Sequence, residues 1–332
     1  MDSRLTNDTA AEDRPMKSLA LLISPRAKNA YFNDYIDVAK AELAWLIGAQ
    51  AITYTKIGAM DFLEIEGSEE QLPQLAALSF VYGIFEHQND QLVPLPIIAS
   101  FELHEDFVFG AKFKGKTNEL LTQMLINVGL QSIDYQSVSD VKLLDPMCGR
   151  ATTLLWGMRY GMKSKGIEQD AKALADIRQN VKKWCKVHRQ KHQFKEGFVG
   201  SKANKQNNGK FIDFSANNAS MRIITGDSTA ACNLLKGEKF HLLISDLPYG
   251  VQHFTANKTR NPLAVLKACA PDWSESLKPK GVMVLAFNRY IPKRKELMAA
   301  FAEHRMQALA FSASHRMSES IVRDVVVLKK LP

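Results

Sequence analysis

The chain has 332 residues, 46% of them hydrophobic and 23% charged, a composition that fits a soluble protein of about two domains and excludes bulk disorder. No apolar run approaches the ~18 residues of a membrane helix, and Leu19–Ile23 is too short for a signal-peptide core, so a cytosolic protein without membrane partners is expected. The net charge of +8 is uneven, with 10 Lys/Arg against 18 Asp/Glu in residues 1–130 and 33 against 17 in residues 131–332. A basic half points to a polyanionic partner, and nucleic acid is the first candidate.

Residues 1–17 read as a polar tail. Leu19–Ser24 reads as a strand and Asn33–Gly48 as a helix, with Ile36, Ala39, Leu43 and Leu46 at helical spacing. Ala51–Lys56 and Asp61–Glu66 alternate like strands around Gly58, Glu69–Leu78 reads as a helix and Phe80–Phe85 as a strand. The order β-α-β-β-α-β predicts a small α+β, ferredoxin-like domain over 18–92. Pro94 and Pro96 open a linker that runs, with a helix at about Asn118–Val128, to residue 130.

From 131 to 332 the rhythm changes. Strands are predicted at Val141–Asp145, Lys163–Glu168, Arg222–Asp227, Phe240–Asp246 and Gly281–Asn288, with helical stretches between them. This alternation implies a parallel sheet. Gln307–Ser314 and Ile321–Lys329 follow with a turn too short for a parallel crossover, so this pair is expected to be antiparallel. Residues 182–210 hold nine Lys/Arg and one acid. They predict a basic insertion at about 189–218, read as a mobile loop that contacts nucleic acid or as a solvated excursion.

Five predicted parallel strands end in Asp145, Glu168, Asp227, Asp246 and Asn288. Ligands of open parallel sheets bind outside the carboxyl ends of the strands. Asp145-Pro146-Met147-Cys148-Gly149 joins an acid, able to accept from an ammonium, to a glycine turn that lets backbone approach a ligand. Glu168 can bridge two ribose hydroxyls, and Asp227 can accept from an exocyclic amine. Amino acid, ribose and adenine in series describe S-adenosylmethionine. Each acid taken alone also reads as a helix cap.

Asp145-Pro146-Met147-Cys148-Gly149 and Asp246-Leu247-Pro248-Tyr249-Gly250 together resemble class I methyltransferases of exocyclic amines on nucleic-acid bases. The chain is most similar among these to the THUMP-associated tRNA guanosine N2-methyltransferases. The resemblance covers about residues 110–330. It implies a Rossmann-like α/β domain with a seven-stranded sheet, the last strand antiparallel. It further implies S-adenosylmethionine as cofactor, held by Asp145, Pro146, Cys148, Gly149, Glu168 and Asp227. Asp246 would accept hydrogen bonds from the target amine, Pro248 would shape the turn, and Tyr249 would stack on a flipped base. The implied substrate is RNA, tRNA first. Arg150-Ala151 stands where the family pattern has Ser/Thr-Gly, and Leu247 where it has proline. The N-terminal domain resembles the ferredoxin-like piece that precedes THUMP in these enzymes, and too few residues remain between it and motif one for a complete THUMP domain. Asp-x-Pro-Tyr alone does not separate guanine N2 from adenine N6, and Ala151 leaves room for a non-catalytic RNA-binding relative.

Other stretches of the chain carry rival readings. Gly110–Thr117 matches GxxxxGK[ST] in letters, but it is bulky, and Phe107–Phe113 reads as a continuing strand. Thr117 and Asn118 are candidates to cap the methionine end of the cofactor, with a plain helix cap as the alternative. Cys185, His188 and His192 fall at i, i+3 and i+7 of a predicted helix, but no CxxC pair or second cluster completes a four-ligand site, so no metal is expected. Arg289, Lys293, Arg294 and Lys295 read either as phosphate contacts or as a solvated helix start.

Overall fold

The computed structural model describes residues 16–111, 113, 116–199, 209–248, 262–318 and 321–332. In chain order the first elements are β1 (Lys17–Ile23), α1 (Pro25–Tyr31), α2 (Tyr35–Ile47), β2 (Thr53–Ile57), β3 (Met60–Gly67), α3 (Leu72–Ala76), β4 (Val81–Gln88) and β5 (Gln91–Leu95). There follow α4 (Asp106–Phe109), α5 (Glu119–Leu130), β6 (Lys142–Asp145), α6 (Thr152–Arg159), β7 (Lys163–Glu168), α7 (Ala171–Val187), β8 (Gln193–Phe198), β9 (Lys210–Ala216) and β10 (Ala219–Thr225). The chain continues through α8 (Ala231–Leu234), β11 (Phe240–Asp246), α9 (Pro262–Glu275), β12 (Leu277–Asn288), α10 (Arg294–Ala302), β13 (Met306–Leu309), β14 (His315–Ser318) and β15 (Ile321–Lys330). No helix of the described residues is long and apolar enough to cross a membrane.

Two compact units are present. One takes the described residues up to Ile23, Ala49–Ala77 and Val81–Ala99; the other takes Ser24–Gly48, Leu78–Phe80 and Ser100–Pro332. The first unit is an antiparallel sheet in the order β2-β3-β1-β4-β5. Its central strand β1 is a continuous apolar run, with Leu19, Ala20 and Leu21 all fully buried. The β4–β5 turn places Asn89 and Asp90 both at positive φ, the requirement of a two-residue hairpin that follows the strand twist. Pro94 lies in β5 rather than in a linker, and it is tolerated there because β5 is an edge strand.

The second unit does not begin at the expected boundary near residue 93, because α1 and α2 cluster with it. The reason is a buried polar network. Glu42 of α2 accepts from the Ser79 backbone N–H at 3.0 Å, from its hydroxyl, and from Asn127 Nδ2 of α5 at 2.7 Å. Asn127 Oδ1 in turn accepts from the Tyr160 hydroxyl. A buried carboxylate needs such donors, and burial still pushes the Glu42 carboxyl above its usual range. Trp45 Nε1 adds a bond to the Val128 carbonyl at 3.2 Å.

The sheet of this unit runs β13-β15-β12-β11-β6-β7-β10-β9-β8, with β14 paired to β15. Strands β10, β7, β6, β11 and β12 are mutually parallel. The last strand β15 is antiparallel to β12 and to β13. Seven strands are expected from the sequence, and ten are found among the described residues. Two of the additional strands come from the segment read as a mobile loop: β8 and β9 form an antiparallel pair that extends the sheet beyond β10. Residues 200–208, between them, lie outside the described residues. Alternation decides which helix each side chain meets. Leu242 and Ile244 of β11 approach Gly129 of α5, whereas Leu243 joins Trp273 and Phe301 of α9 and α10 on the other face, which Phe240 also reaches through a register shift between Phe240 and Leu242.

The strand order reverses between β6 and β11. Chain order runs β6-β7-β10 outward on one side, and β11-β12 outward on the other. A crevice opens outside the carboxyl ends at such a switch point, and the sequence places Asp145 and Asp246 at the two ends that flank it.

Candidate active site

The turn after β6 is built around two left-handed residues, Gly149 at φ 51° and Ala151 at φ 64°. Glycine suits such a position, and a Cβ built on Gly149 would meet nothing within 4 Å, so the space before it is open. Ala151 pays steric strain there of about 1 kcal/mol. Ala151→Gly is therefore expected to stabilise the protein by up to about 1 kcal/mol, less what the fully buried methyl contributes in packing. Urea unfolding measures this, and a loss of more than 1 kcal/mol would show that the methyl contact outweighs the strain.

Asp145 is 2% exposed. It accepts from the Ser245 hydroxyl of β11 at 2.8 Å, from Met147 N–H at 3.1 Å and from the Thr153 hydroxyl. No cation stands beside it among the described residues. Burial, opposed by these bonds and aided by the negative Asp246, pushes its carboxyl up to about 7. Pro146 is buried in the same turn. Cys148 packs behind the turn rather than into the crevice: a Cβ on Gly166 would come within 2.7 Å of its sulfur, and burial pushes its thiol well up.

Glu168, at the end of β7, accepts from Gly149 N–H at 2.7 Å with one carboxylate oxygen and from Asp170 N–H at 2.7 Å with the other. It therefore fixes the glycine turn, and each oxygen keeps a second lone pair. The third strand ends at Thr225, two residues before Asp227. Asp227 accepts from Thr229 N–H and Oγ1 at 2.9 and 2.8 Å, the geometry of a helix cap. Asn118 also caps, accepting from Leu121 N–H at 3.0 Å.

Asp246 has a partner that sequence reasoning missed. Arg323 of β15 donates from Nη2 to its Oδ2 at 3.0 Å, and the two side chains are 3% and 8% exposed. Thr117, expected at the cofactor's methionine end, donates its hydroxyl to the same carboxylate. Burial raises the Asp246 carboxyl, and Arg323 pulls it back. The signal for Arg323 was an Arg-Asp pair inside an apolar strand. Strand alternation sends Arg323 to Asp246 and Asp324 to Arg294, 2.9 Å away. Leu247 N–H is held by the Ala286 carbonyl at 2.9 Å, and Pro248 follows, half-buried. Tyr249 lies outside the described residues.

A cavity of ≈ 380 Å³ is lined by Arg289, Tyr290, His315 and Arg316, with Asp34 on its wall. Its walls include β14, the strand that pairs His315 with Arg323. Tyr290 is 50% exposed. Arg294 is committed to Asp324 and to the Val325 and Phe311 carbonyls, so it is structural rather than a phosphate contact.

Phe107–Phe109 is helical in α4, so no strand leads into Gly110–Thr117. Lys116 donates to the Val108 and Ala111 carbonyls and to Glu119, which removes the lysine a phosphate loop needs. Helix α7 ends at Val187, which breaks the Cys185–His188–His192 face. Cys185 is buried, and His192 Nδ1 bonds the Gln190 carbonyl.

Neither a protein-family model nor a curated protein matches the chain. Among solved structures it is similar to TrmN from Thermus thermophilus, with 14% identity and a TM-score of 0.44 over 84% of this chain. The chain spans 59% of that protein's length. It is also similar to a methyltransferase from Pyrococcus furiosus (13% identity, TM-score 0.42, 69% of this chain and 93% of that one) and to an rRNA methylase from Streptococcus thermophilus (10%, 0.36, 58% and 89%). Identities and scores at this level carry no functional argument.

Proposed function

We propose that the chain is an S-adenosylmethionine-dependent RNA methyltransferase acting on an exocyclic base amine, with guanine N2 in tRNA as the preferred target. The observation that carries this reading is the pair of buried carboxylates at the switch point. Among the described residues Asp145 has only hydroxyl and N–H donors, and Asp246 is paired with the Arg323 guanidinium. A buried carboxylate without a cation fits a ligand ammonium, and the open space before Gly149 fits a ligand lying along the turn. Asp145, Pro146 and Gly149 would hold the methionine end, with Cys148 packing behind the turn. Glu168 would use its remaining lone pairs for the ribose, and Asp227 would use its second oxygen for the adenine. The bound cofactor supplies an electrophilic methyl group.

Asp246 would accept hydrogen bonds from the base amine and orient it. A guanine amine is a poor nucleophile because its lone pair is delocalised, so proximity and fixed charge carry most of the acceleration. Arg323 and Thr117 serve this by holding the carboxylate ionised and in place. Tyr249 is assigned to base stacking and Pro248 to the turn before it. The Arg289–Tyr290–Arg316 cavity and the exposed lysines of α7 and β8 supply cationic and aromatic surface for RNA. The antiparallel order β2-β3-β1-β4, with helices after β1 and β3, supports reading 18–92 as a ferredoxin-like element extended by β5.

Two measurements test the reading. Calorimetry should show S-adenosylmethionine binding, weakened by about 1–3 kcal/mol in Glu168→Ala when a ribose acceptor is lost. Labelled-methyl transfer to tRNA lacking the modification, followed by nucleoside identification, should yield N2-methylguanosine, and Asp246→Asn should abolish transfer while cofactor affinity survives. N6-methyladenosine would change the target base. No cofactor binding by the intact chain would remove the enzyme reading.

A further inference from the structure

His188, singled out in the sequence with Cys185 and His192, has different partners in the fold. Its Nε2 lies 2.8 Å from Asp106 Oδ2, and His104 Nδ1 lies 3.4 Å from the same oxygen. The two imidazoles stack with centroids 3.7 Å apart and planes inclined at 22°. One donor atom from each of His104, Asp106 and His188 lies within 4.8 Å of the other two. These residues come from two separate segments, the start of α4 with the turn before it and the residue just past α7.

We propose that His104, Asp106 and His188 form a binding site for a borderline divalent cation such as zinc, with water completing the shell. Two imidazoles and one carboxylate are a donor set suited to such ions. Tetrahedral zinc places neighbouring N and O donors about 3.3 Å apart, close to the 2.8 and 3.4 Å found between the nitrogens and the shared oxygen. His104 Nδ1 also accepts from the Asp106 backbone N–H at 3.2 Å, a long bond that the ion would replace. The side chains of His104, Asp106 and His188 are 49%, 32% and 23% exposed, so an ion has access from solvent. The ion would clip the segment at 104–106 to the end of α7, alongside the bond from Asn180 Nδ2 to the Phe107 carbonyl at 3.1 Å. The site is independent of methyl transfer.

The test uses the full chain without an affinity tag. Cobalt(II) titration read by visible absorption, and zinc titration read by calorimetry, should each give one ion per chain with micromolar affinity. His104→Gln and His188→Gln should each weaken binding at least tenfold, and zinc should raise the melting temperature of the parent but not of these variants. His104 is half exposed, so its variant keeps the fold should the His188 variant lose it. Cys185→Ser and His192→Gln should bind as the parent does. The proposal is overturned if no stoichiometric ion binds below 100-micromolar order, or if binding persists unchanged in His104→Gln. It is equally overturned if loss follows Cys185 or His192.

Discussion

Replacing Arg323 by methionine is expected to cost about 3–5 kcal/mol of folding stability at neutral pH, the usual consequence of stripping one partner from a buried ion pair. The side chains of Arg323 and Asp246 are 3% and 8% exposed, and their contact is 3.0 Å. Without the guanidinium, Asp246 stays buried beside a second carboxylate, Asp145, and its own carboxyl, already raised by burial, rises further. The cost should therefore shrink as pH falls and Asp246 takes up a proton. Combining Arg323→Met with Asp246→Leu should recover most of the loss, because apolar replacement of a whole buried pair is often near neutral. Urea unfolding at pH 5 and pH 8 of the two single variants and the double one gives the coupling directly. A single-variant loss under 1 kcal/mol would show that the pair does not anchor β15 to β11. Arg323 touches no reacting atom in the proposed reaction, so its role there is positioning. The activity that survives in Arg323→Met should require higher pH, where Asp246 is ionised without help.

What the sequence revealed and what it hid follow from the range of the interactions. Asp145, Glu168 and Asp246 were legible because strand ends and glycine turns are local patterns, and the fold placed all three on one edge of the parallel strands. The partner of Asp246 was not legible. Alternation along β15 puts Arg323 and Asp324 on opposite faces, but only the pairing of β15 with β12 decides which acid each residue can reach. The helix at Tyr35–Ile47 was visible from its spacing, yet Glu42 was hidden among its apolar positions, and that residue ties α2 to Asn127. The basic insertion was read as a loop on its charge and its Gly, Asn and Gln content. Ile212, Phe214 and Ala216 of β9 are nonetheless buried in strict alternation, a period-two signal that composition masked. The strand expected through Phe107–Phe113 failed for a related reason. Aromatic residues favour strands as a class, but Phe107 and Val108 are fully buried in a single helical turn, with the Phe107 carbonyl held by Asn180.

S-Adenosylmethionine affinity is expected to fall about tenfold for each pH unit below 7, because the carboxyl of Asp145 is pushed up to about 7 and only its ionised form attracts an ammonium. Burial is the largest cause, the nearby charge of Asp246 adds to it, and the Thr153 and Ser245 hydroxyls and Met147 N–H oppose it. The cofactor-free protein should respond with the opposite sign. Its folded state holds a proton that the unfolded chain releases near the ordinary carboxylate range, so stability from this group is full at low pH and is lost as pH rises through about 7. A rise from 3.8 to about 7 corresponds to a penalty on the order of 4 kcal/mol for the ionised form. Asp145→Asn removes the charge while keeping an acceptor for Ser245. It should stabilise the cofactor-free protein at pH 8, change it little at pH 4, and bind the cofactor weakly with no dependence on pH between 6 and 8. Calorimetry in buffers of different ionisation enthalpy should also detect proton release when the parent binds at pH 6.5. Affinity that stays flat from pH 6 to 8 in the parent would mean that Asp145 does not meet the ammonium. The buried carboxylate would then be a structural link between β6 and β11 through Ser245.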